Sequence, residues 1–279
     1  RPDRFIGLHF FYHPAKNRLV EIIPSSETSS ETIQSVIQYC GAMGKVVILC
    51  KDRPGFVVNR FFVPWLNEAC KLLDEGFGTP AEIDNVAKDC FDIGMGPFEL
   101  MNLTGPSIAL HSTDYLASQL QVDRYKGANS LRRLVEEGIQ WDLAGVSGEF
   151  SSKDRKEIRN RLLGVVLCIA SQIVEEEICA MEDVDRGAKV GLRWPMGPFE
   201  LANDLGVDVA HGIASDYAVL AGFESPIILS AQGSEPFEFK LIDLEVTNGV
   251  ASITFNRPEA MNALNEEVIS QLTDLWKGL

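Results

Sequence analysis

The 279-residue chain has no Cys-x-x-Cys pair among its six cysteines, Cys40, Cys50, Cys70, Cys90, Cys168 and Cys179. That removes the common zinc and dithiol motifs. Several of these thiols lie in apolar runs, so they are read as reduced core residues of a reducing, cytoplasmic compartment. No His/Cys/Asp cluster has metal-ligand spacing, so no metal is expected. Positive charge is scarce. The balance of 25 Lys and Arg against 40 Asp and Glu gives a formal net charge of −15. This excludes a nucleic-acid surface and an anionic-membrane partner, both of which need a basic face. Long apolar runs are also missing. The longest uncharged stretch, Leu162–Val174, falls between Arg161 and Glu175 and is short of the ~20 residues a membrane helix needs. It is predicted to be a buried core helix. No Gly-x-Gly-x-x-Gly occurs anywhere, and Gly94-Met95-Gly96 lacks the third glycine. The phosphate-binding half of a dinucleotide fold is therefore not expected within these residues.

What is present begins with α/β character. Residues 4–12 and 19–23 read as strands, Glu31–Met43 as a helix capped by Ser29 or Ser30, and Lys45–Cys50 as a strand. His9 and Glu21 fall on the first two strands. A neutral imidazole can take a proton, and a neighbouring carboxylate fixes its tautomer and offsets the charge it gains. From Phe56 the pattern turns helical. Phe56–Glu75 is predicted as a long helix ended by Gly76, and Thr79-Pro80-Ala81-Glu82 is a capping box.

The helical block then returns. Asn160-Arg161 repeats Asn59-Arg60, Asp185 repeats Asp84, and Ala188-Lys189 repeats Ala87-Lys88. Met196-Gly197-Pro198-Phe199-Glu200-Leu201 repeats Met95–Leu100 letter for letter, and Asn203 repeats Asn102, all at one gapless offset. This is a duplicated helical domain. The shared hexapeptide is read as a helix start whose Phe and Leu pack between the copies. After a linker, Phe239–Leu244 and Val250–Phe255 alternate like a hairpin turned at Asn248-Gly249. Asn256-Arg257-Pro258-Glu259-Ala260-Met261-Asn262-Ala263-Leu264-Asn265 follows and leads into a helix.

Three of these segments, Gly7-Leu8-His9-Phe10-Phe11, Leu19-Val20-Glu21 and Lys51-Asp52-Arg53-Pro54-Gly55-Phe56-Val57-Val58-Asn59-Arg60, resemble the 3-hydroxyacyl-CoA dehydrogenase family in order and spacing. The resemblance extends from residue 1 to about residue 220. The segment Asn256–Asn265 resembles the start of the crotonase (enoyl-CoA hydratase/isomerase) family. Together they imply a mostly α chain with an α/β N-terminal remnant. Residues 1–52 would be the C-terminal part of an NAD-binding Rossmann domain. Residues 53–152 and 153–222 would be tandem all-α domains of the 6-phosphogluconate-dehydrogenase C-terminal kind, forming an intramolecular pseudo-dimer. Residues 223–236 would be a linker, and 237–279 the opening β-hairpin of a crotonase domain. Arg1 and Leu279 are expected to be internal positions of a longer chain.

The activity implied is NAD-dependent oxidation of (S)-3-hydroxyacyl-CoA to 3-oxoacyl-CoA in a bifunctional dehydrogenase/hydratase of fatty-acid β-oxidation, with these residues alone inactive. His9 would be the base, Glu21 its orienting partner, and Asn59 the donor to the substrate oxygen. NAD would be the cofactor and an acyl-CoA the substrate. Two departures from the family stand out. Tyr12-His13-Pro14 replaces an Asn-Pro whose Asn meets NAD, which puts Tyr12 at the cofactor-binding position. The stretch Asp142–Gly148 carries no basic residue for the cofactor. Ala263 and Leu264 would line the CoA path or pack in the core. His13 is expected to be exposed, and His111 and His211 to be structural or on the surface. A non-catalytic helical docking module with a decayed site, and a dehydrogenase of shorter hydroxy acids, stay open as alternatives.

Overall fold

The computed structural model of the chain describes residues 1–145 and 150–278. Residues 146–149, which include the end of the Asp142–Gly148 stretch, lie outside that description. The N-terminal unit is a three-stranded sheet of order β1-β2-β3. β1 (Ile6–Phe10) pairs antiparallel with β2 (Leu19–Pro24), and β2 pairs parallel with β3 (Val46–Leu49). Helix α1 (Ser30–Ala42) makes the crossover, with Ser29 as its N-cap accepting from the Thr32 N–H. The period of two along β2 splits its side chains between two cores. Val20 and Ile22 pack with Cys40, Val36 and Ile37 of α1, while Leu19 and Ile23 join the main helical core. Glu21 shares the second face with Leu19 and Ile23, which turns its carboxylate toward the helices.

The helical body starts with α2 (Val58–Asp74), α3 (Pro80–Phe91), α4 (Pro97–Thr104), α5 (Pro106–Leu120) and α6 (Asn129–Glu137). It continues with α7 (Ser152–Glu175), α8 (Met181–Arg186) running into a π-helical turn over Gly187–Leu192, α9 (Pro198–Leu205), α10 (Val207–Ala221) and α11 (Ile227–Gln232). Helix α2 begins two residues later than its apolar pattern suggests, because Phe56 has a positive φ of 47°. Residues 223–236, expected as a linker, contain α11, which packs on α7 and α10 and buries Leu229. Helix α7 is buried on every side from Arg161 to Ser171. A helix that is apolar all round forms inside a protein rather than on its surface.

The duplication persists at the level of single hydrogen bonds. In the first half Asp84 accepts from the Phe98 and Glu99 N–H groups at 2.8 and 2.9 Å. In the second, Asp185 accepts from Phe199 and Glu200, both at 2.8 Å. Lys88–Glu99 and Lys189–Glu200 pair at 2.6 and 2.5 Å. A Cβ at Gly96 or Gly197 would lie 2.4 or 2.2 Å from the carboxylate carbon, so only glycine lets the aspartate reach the helix start. The hexapeptide is thus a cap. Its phenylalanines are buried in the one helical core, where the Phe98 ring meets Trp141 and the Phe199 ring meets Phe237. Those partners are supplied by the chain that follows each helical set, which Asn102 and Asn203 tether through backbone bonds.

Helices α2 and α7 also exchange ion pairs. Arg60 bonds Glu176 at 2.5 Å, and Arg161 bonds Glu75. These are the same two repeat positions with the halves swapped.

Beyond the helices, β4 (Ile242–Thr247) and β5 (Val250–Phe255) form the expected hairpin on Asn248-Gly249. Both turn residues have positive φ, 53° and 78°, as a two-residue hairpin turn of this type requires. The first strand lies nearer the turn than the alternation over Phe239–Leu244 indicates, because so short a turn makes both strands abut it. A short 3₁₀ turn over Pro258–Ala260 leads toward α12 (Glu266–Gly278), and Leu241, Ile242 and Val268 make a small separate core.

Candidate active site

His9 and Glu21 are cross-strand partners in the β1–β2 register, and His9 Nδ1 lies 2.6 Å from Glu21 Oε2. The Glu21 side chain is 0% exposed. Its other oxygen accepts from the backbone N–H groups of Val57 (3.1 Å) and Val58 (2.9 Å). Helix α2 has no side-chain cap of its own, because position 57 is valine. The carboxylate from β2 therefore supplies the acceptor that the first turn of a helix needs, at the end where a helix favours negative charge. One side chain ties the sheet to the helix and holds the imidazole. An ionised carboxylate only accepts, so the hydrogen bond places the His9 proton on Nδ1 and leaves Nε2 as the acceptor.

The His9 ring sits edge-on to Phe11, with centroids 4.7 Å apart, and 5.5 Å from Phe56. Phe56 is carried there by a turn in which Gly55 has φ +79°, and a Cβ on Gly55 would lie 2.9 Å from Arg60 Cα. The same turn starts α2 and puts Asn59 in its first turn. Phe56 and Asn59 also line a cavity of about 480 Å³ with Arg53, His111, Tyr115 and Gln119. Phe56 is thus a wall common to the histidine and the cavity. The Asn59 amide makes no side-chain hydrogen bond among the described residues, so it is free to donate to a guest. Cys50, at the end of β3, is buried. Burial pushes its thiol up, and the Glu21 carboxylate adds to the effect, so it is not a thiolate nucleophile.

The other expected residues fall outside this group. Tyr12 is 80% exposed, and His13 is exposed beside it. Ala263 and Leu264 are exposed, Leu264 at 61%, so packing in the core is not their role. Asn160, the repeat partner of Asn59, lies inside α7 and not in a first turn, because that helix begins at Ser152. His211 bonds the Ser225 hydroxyl at 3.2 Å. His111 is exposed, as expected, and also lines the cavity. The repeat held one sign of this, since the position matching His111 in the second half is Gly212. Among the described residues no helix is long and apolar enough to cross a membrane.

Comparison with known proteins matches two family descriptions. Residues 55–141 and 158–232 match "3-hydroxyacyl-CoA dehydrogenase, C-terminal domain", and residues 1–53 match "3-hydroxyacyl-CoA dehydrogenase, NAD binding domain". A mitochondrial hydroxyacyl-coenzyme A dehydrogenase of Mus musculus is 44% identical over 105 residues, covering 38% of this chain and 33% of that protein. The fatty acid oxidation complex subunit alpha of Aliivibrio fischeri is 30% identical over 244 residues, covering 78% of this chain and 35% of that one. The chain thus spans about a third of the length of both relatives. A crystal structure of 3-hydroxybutyryl-CoA dehydrogenase from Escherichia coli superposes with a TM-score of 0.71 at 20% identity, covering 83% of this chain and 70% of that one. That likeness shows the fold.

Proposed function

The chain belongs to the 3-hydroxyacyl-CoA dehydrogenase family, and we propose that it takes part in oxidising (S)-3-hydroxyacyl-CoA to 3-oxoacyl-CoA, with His9 as general base. The observation that carries the reading is the buried Glu21 carboxylate, which holds His9 Nδ1 while capping α2. His9 Nε2 would take the 3-hydroxyl proton, and the adjacent carboxylate would offset the charge gained on the ring. The Asn59 amide would hold the substrate oxygen in the cavity beside Phe56. Bound NAD would supply the hydride acceptor. The residues present fit the substrate side of such a site. No glycine-rich phosphate loop occurs in the sequence, so no contact to the dinucleotide phosphates is assigned, and Tyr12 would meet the cofactor only by its place in the family motif.

Two further parts belong to the proposal. The helical halves act as an intramolecular pseudo-dimer, supported by the exchanged pairs Arg60–Glu176 and Arg161–Glu75. Reciprocal contacts of this kind mark a two-fold interface. Residues 237–279 are the opening of an enoyl-CoA hydratase unit of a bifunctional β-oxidation enzyme. This is supported by the hairpin on Asn248-Gly249 and the segment Asn256–Asn265, whose exposed Ala263 and Leu264 would line the CoA path. Six free cysteines fit a reducing compartment, the cytoplasm.

The test is NADH formation from 3-hydroxybutyryl-CoA, by these residues alone and joined to a family member's glycine-rich βαβ unit. The chain alone should be inactive and the joined protein active. His9→Gln should lower the joined protein's rate on the order of 10²–10⁴-fold. Equal rates would remove His9 as the base. A folded, NAD-binding but inactive protein would favour the docking-module reading.

A further inference from the structure

A second cavity, of about 440 Å³, shares no residue with the one beside Asn59. Three separate parts of the chain build it: Lys16, Asn17 and Arg18 before β2, Lys189 to Pro195 around the π-helical turn, and Arg257 to Ala260 after the hairpin. Five of its ten lining residues are cations (Lys16, Arg18, Lys189, Arg193 and Arg257), against one carboxylate, Glu259. In a chain of net charge −15, scattered surface charge does not produce such a concentration. A concave wall of one sign focuses its field on the space it encloses.

The carboxylate leaves much of this charge unanswered. Glu259 lies 3.4 Å from Arg186 and 4.0 Å from each of Lys189 and Arg257. Lys16 and Arg193 make no side-chain hydrogen bond or ion pair among the described residues. The two halves of the repeat diverge here as well. The first-half positions matching Val190 and Arg193 are Asp89 and Asp92. Asp92 and Arg193 both end their helices in the left-handed region, at φ 51° and 61°. That conformation favours Asp, Asn or Gly, and arginine gains nothing from it. Folding therefore explains Asp92 and does not explain Arg193. The turn before Arg193 is a π-helix where the first half has a regular one, and such turns recur at binding sites. Gly187 and Gly191 let this turn lie against the start of α2 and against β2: a Cβ on Gly187 would come to 2.6 Å from the Val58 side chain, and one on Gly191 to 2.6 Å from that of Leu19.

We propose that this junction cavity binds the phosphate groups of a nucleotide-bearing ligand, with Lys16, Arg18 and Arg193 as its principal charge partners. A single phosphate meets competition from Glu259, so two or more phosphates are favoured. The volume falls within the ~300–1,000 Å³ of small-molecule sites. The proposal stands apart from the dehydrogenase reading, because none of these residues is assigned to that chemistry.

The test is calorimetric titration of the 279-residue chain at low salt with inorganic pyrophosphate, ADP, CoA and phosphate-free pantetheine. The variants are Lys16→Glu and Arg193→Asn. Asparagine suits the left-handed backbone at 193, so that variant keeps the fold while removing the charge, and circular dichroism checks both. Pyrophosphate or CoA should bind saturably, more weakly as salt rises, and each variant should lose about tenfold or more in affinity. Comparable binding of pyrophosphate and ADP would identify free nucleotide phosphates as the source. Tight binding by CoA alone, lost in the variants, would identify the acyl carrier. Pantetheine binding equal to that of CoA, no saturable binding, or binding that both variants leave unchanged would overturn the proposal.

Discussion

Arg60 and Arg161 occupy the same position of the two helical halves, yet replacing each with methionine should have very different costs. Both guanidinium side chains are 6% exposed. Arg161 donates to Glu68 at 2.7 and 2.5 Å and to Glu75, and it lies over the Phe77 ring. Glu68 is 1% exposed. Without Arg161, a buried carboxylate keeps Arg124 as its remaining cation, at 2.5 Å. Breaking a buried pair from one side costs ~3–5 kcal/mol, and the surviving Arg124 puts the expected loss near ~3. Arg60 has a poorer arrangement. It bonds one carboxylate, Glu176, which is 44% exposed and can rehydrate, and its Nη1 is buried without a partner among the described residues. Methionine there removes an incompletely satisfied cation and should cost only about 0–1 kcal/mol. The assay is urea unfolding, comparing midpoints at constant m-value. A difference of roughly 2 kcal/mol or more, with Arg161→Met the less stable, is expected from those two costs. Equal losses, or a larger loss at Arg60, would refute the argument that the rehydration of the partner carboxylate decides the cost.

The cysteines and the capping aspartates give two more predictions. Burial pushes the Cys90 and Cys168 thiols up to about 12 and raises the other four as well. An aromatic disulfide reagent at pH 8 should therefore leave all six unlabelled in the native protein and label all six in guanidinium; rapid native labelling of any one would contradict this. Burial also raises Asp84 and Asp183 to about 6 and Asp185 to about 8, against the pull of nearby donors and cations. The unfolded chain releases these protons near pH ~4, so the folded chain holds them through the window from about 4 to about 8. Their stabilising effect is complete below that window and is lost as pH rises through it. Asp114, held low chiefly by Arg132, acts in the opposite sense and loses its contribution as pH falls below ~4. Thermal midpoints should be highest near pH ~4 and decline toward pH ~8; a midpoint rising steadily from 5 to 9 would show that these aspartates stay charged in the folded state.

Much of the fold and part of the site can be read from local chemistry. Period-two runs give β1, β2 and β3, and the Thr79–Glu82 capping box starts α3 as expected. Asn248-Gly249 turns the hairpin because both residues tolerate positive φ. The His9–Glu21 hydrogen bond follows from two strands joined by a short turn, since facing residues on one sheet face must meet. What escapes such reading depends on distant packing. Nothing local to Val57 says that Glu21, 36 residues earlier, will cap its helix. Helix α11 is a short apolar run between polar segments and is helical because Leu229 finds a buried place against α7 and α10. His111 reaches the cavity because α5 crosses α2 there.

The duplication itself separates structural roles from functional ones. Positions that match between the halves, such as Asp84 and Asp185 on their helix starts, perform the same folding task twice with the same distances. A catalytic reading of the hexapeptide Met95–Leu100 fails on that ground, since its glycine exists to admit the capping aspartate in both halves. The positions that differ are the ones folding leaves unexplained. Asn59 begins a helix capped by Glu21, while Asn160 is interior to α7. His111 faces a cavity where the second half has Gly212, and Arg193 stands where the first half has Asp92. If the matched residues hold the pair of halves together, then the first half is free to carry the His9 site and the second the basic junction. Exchanging Arg193 for its first-half counterpart should therefore leave the fold intact while changing what the junction cavity can bind.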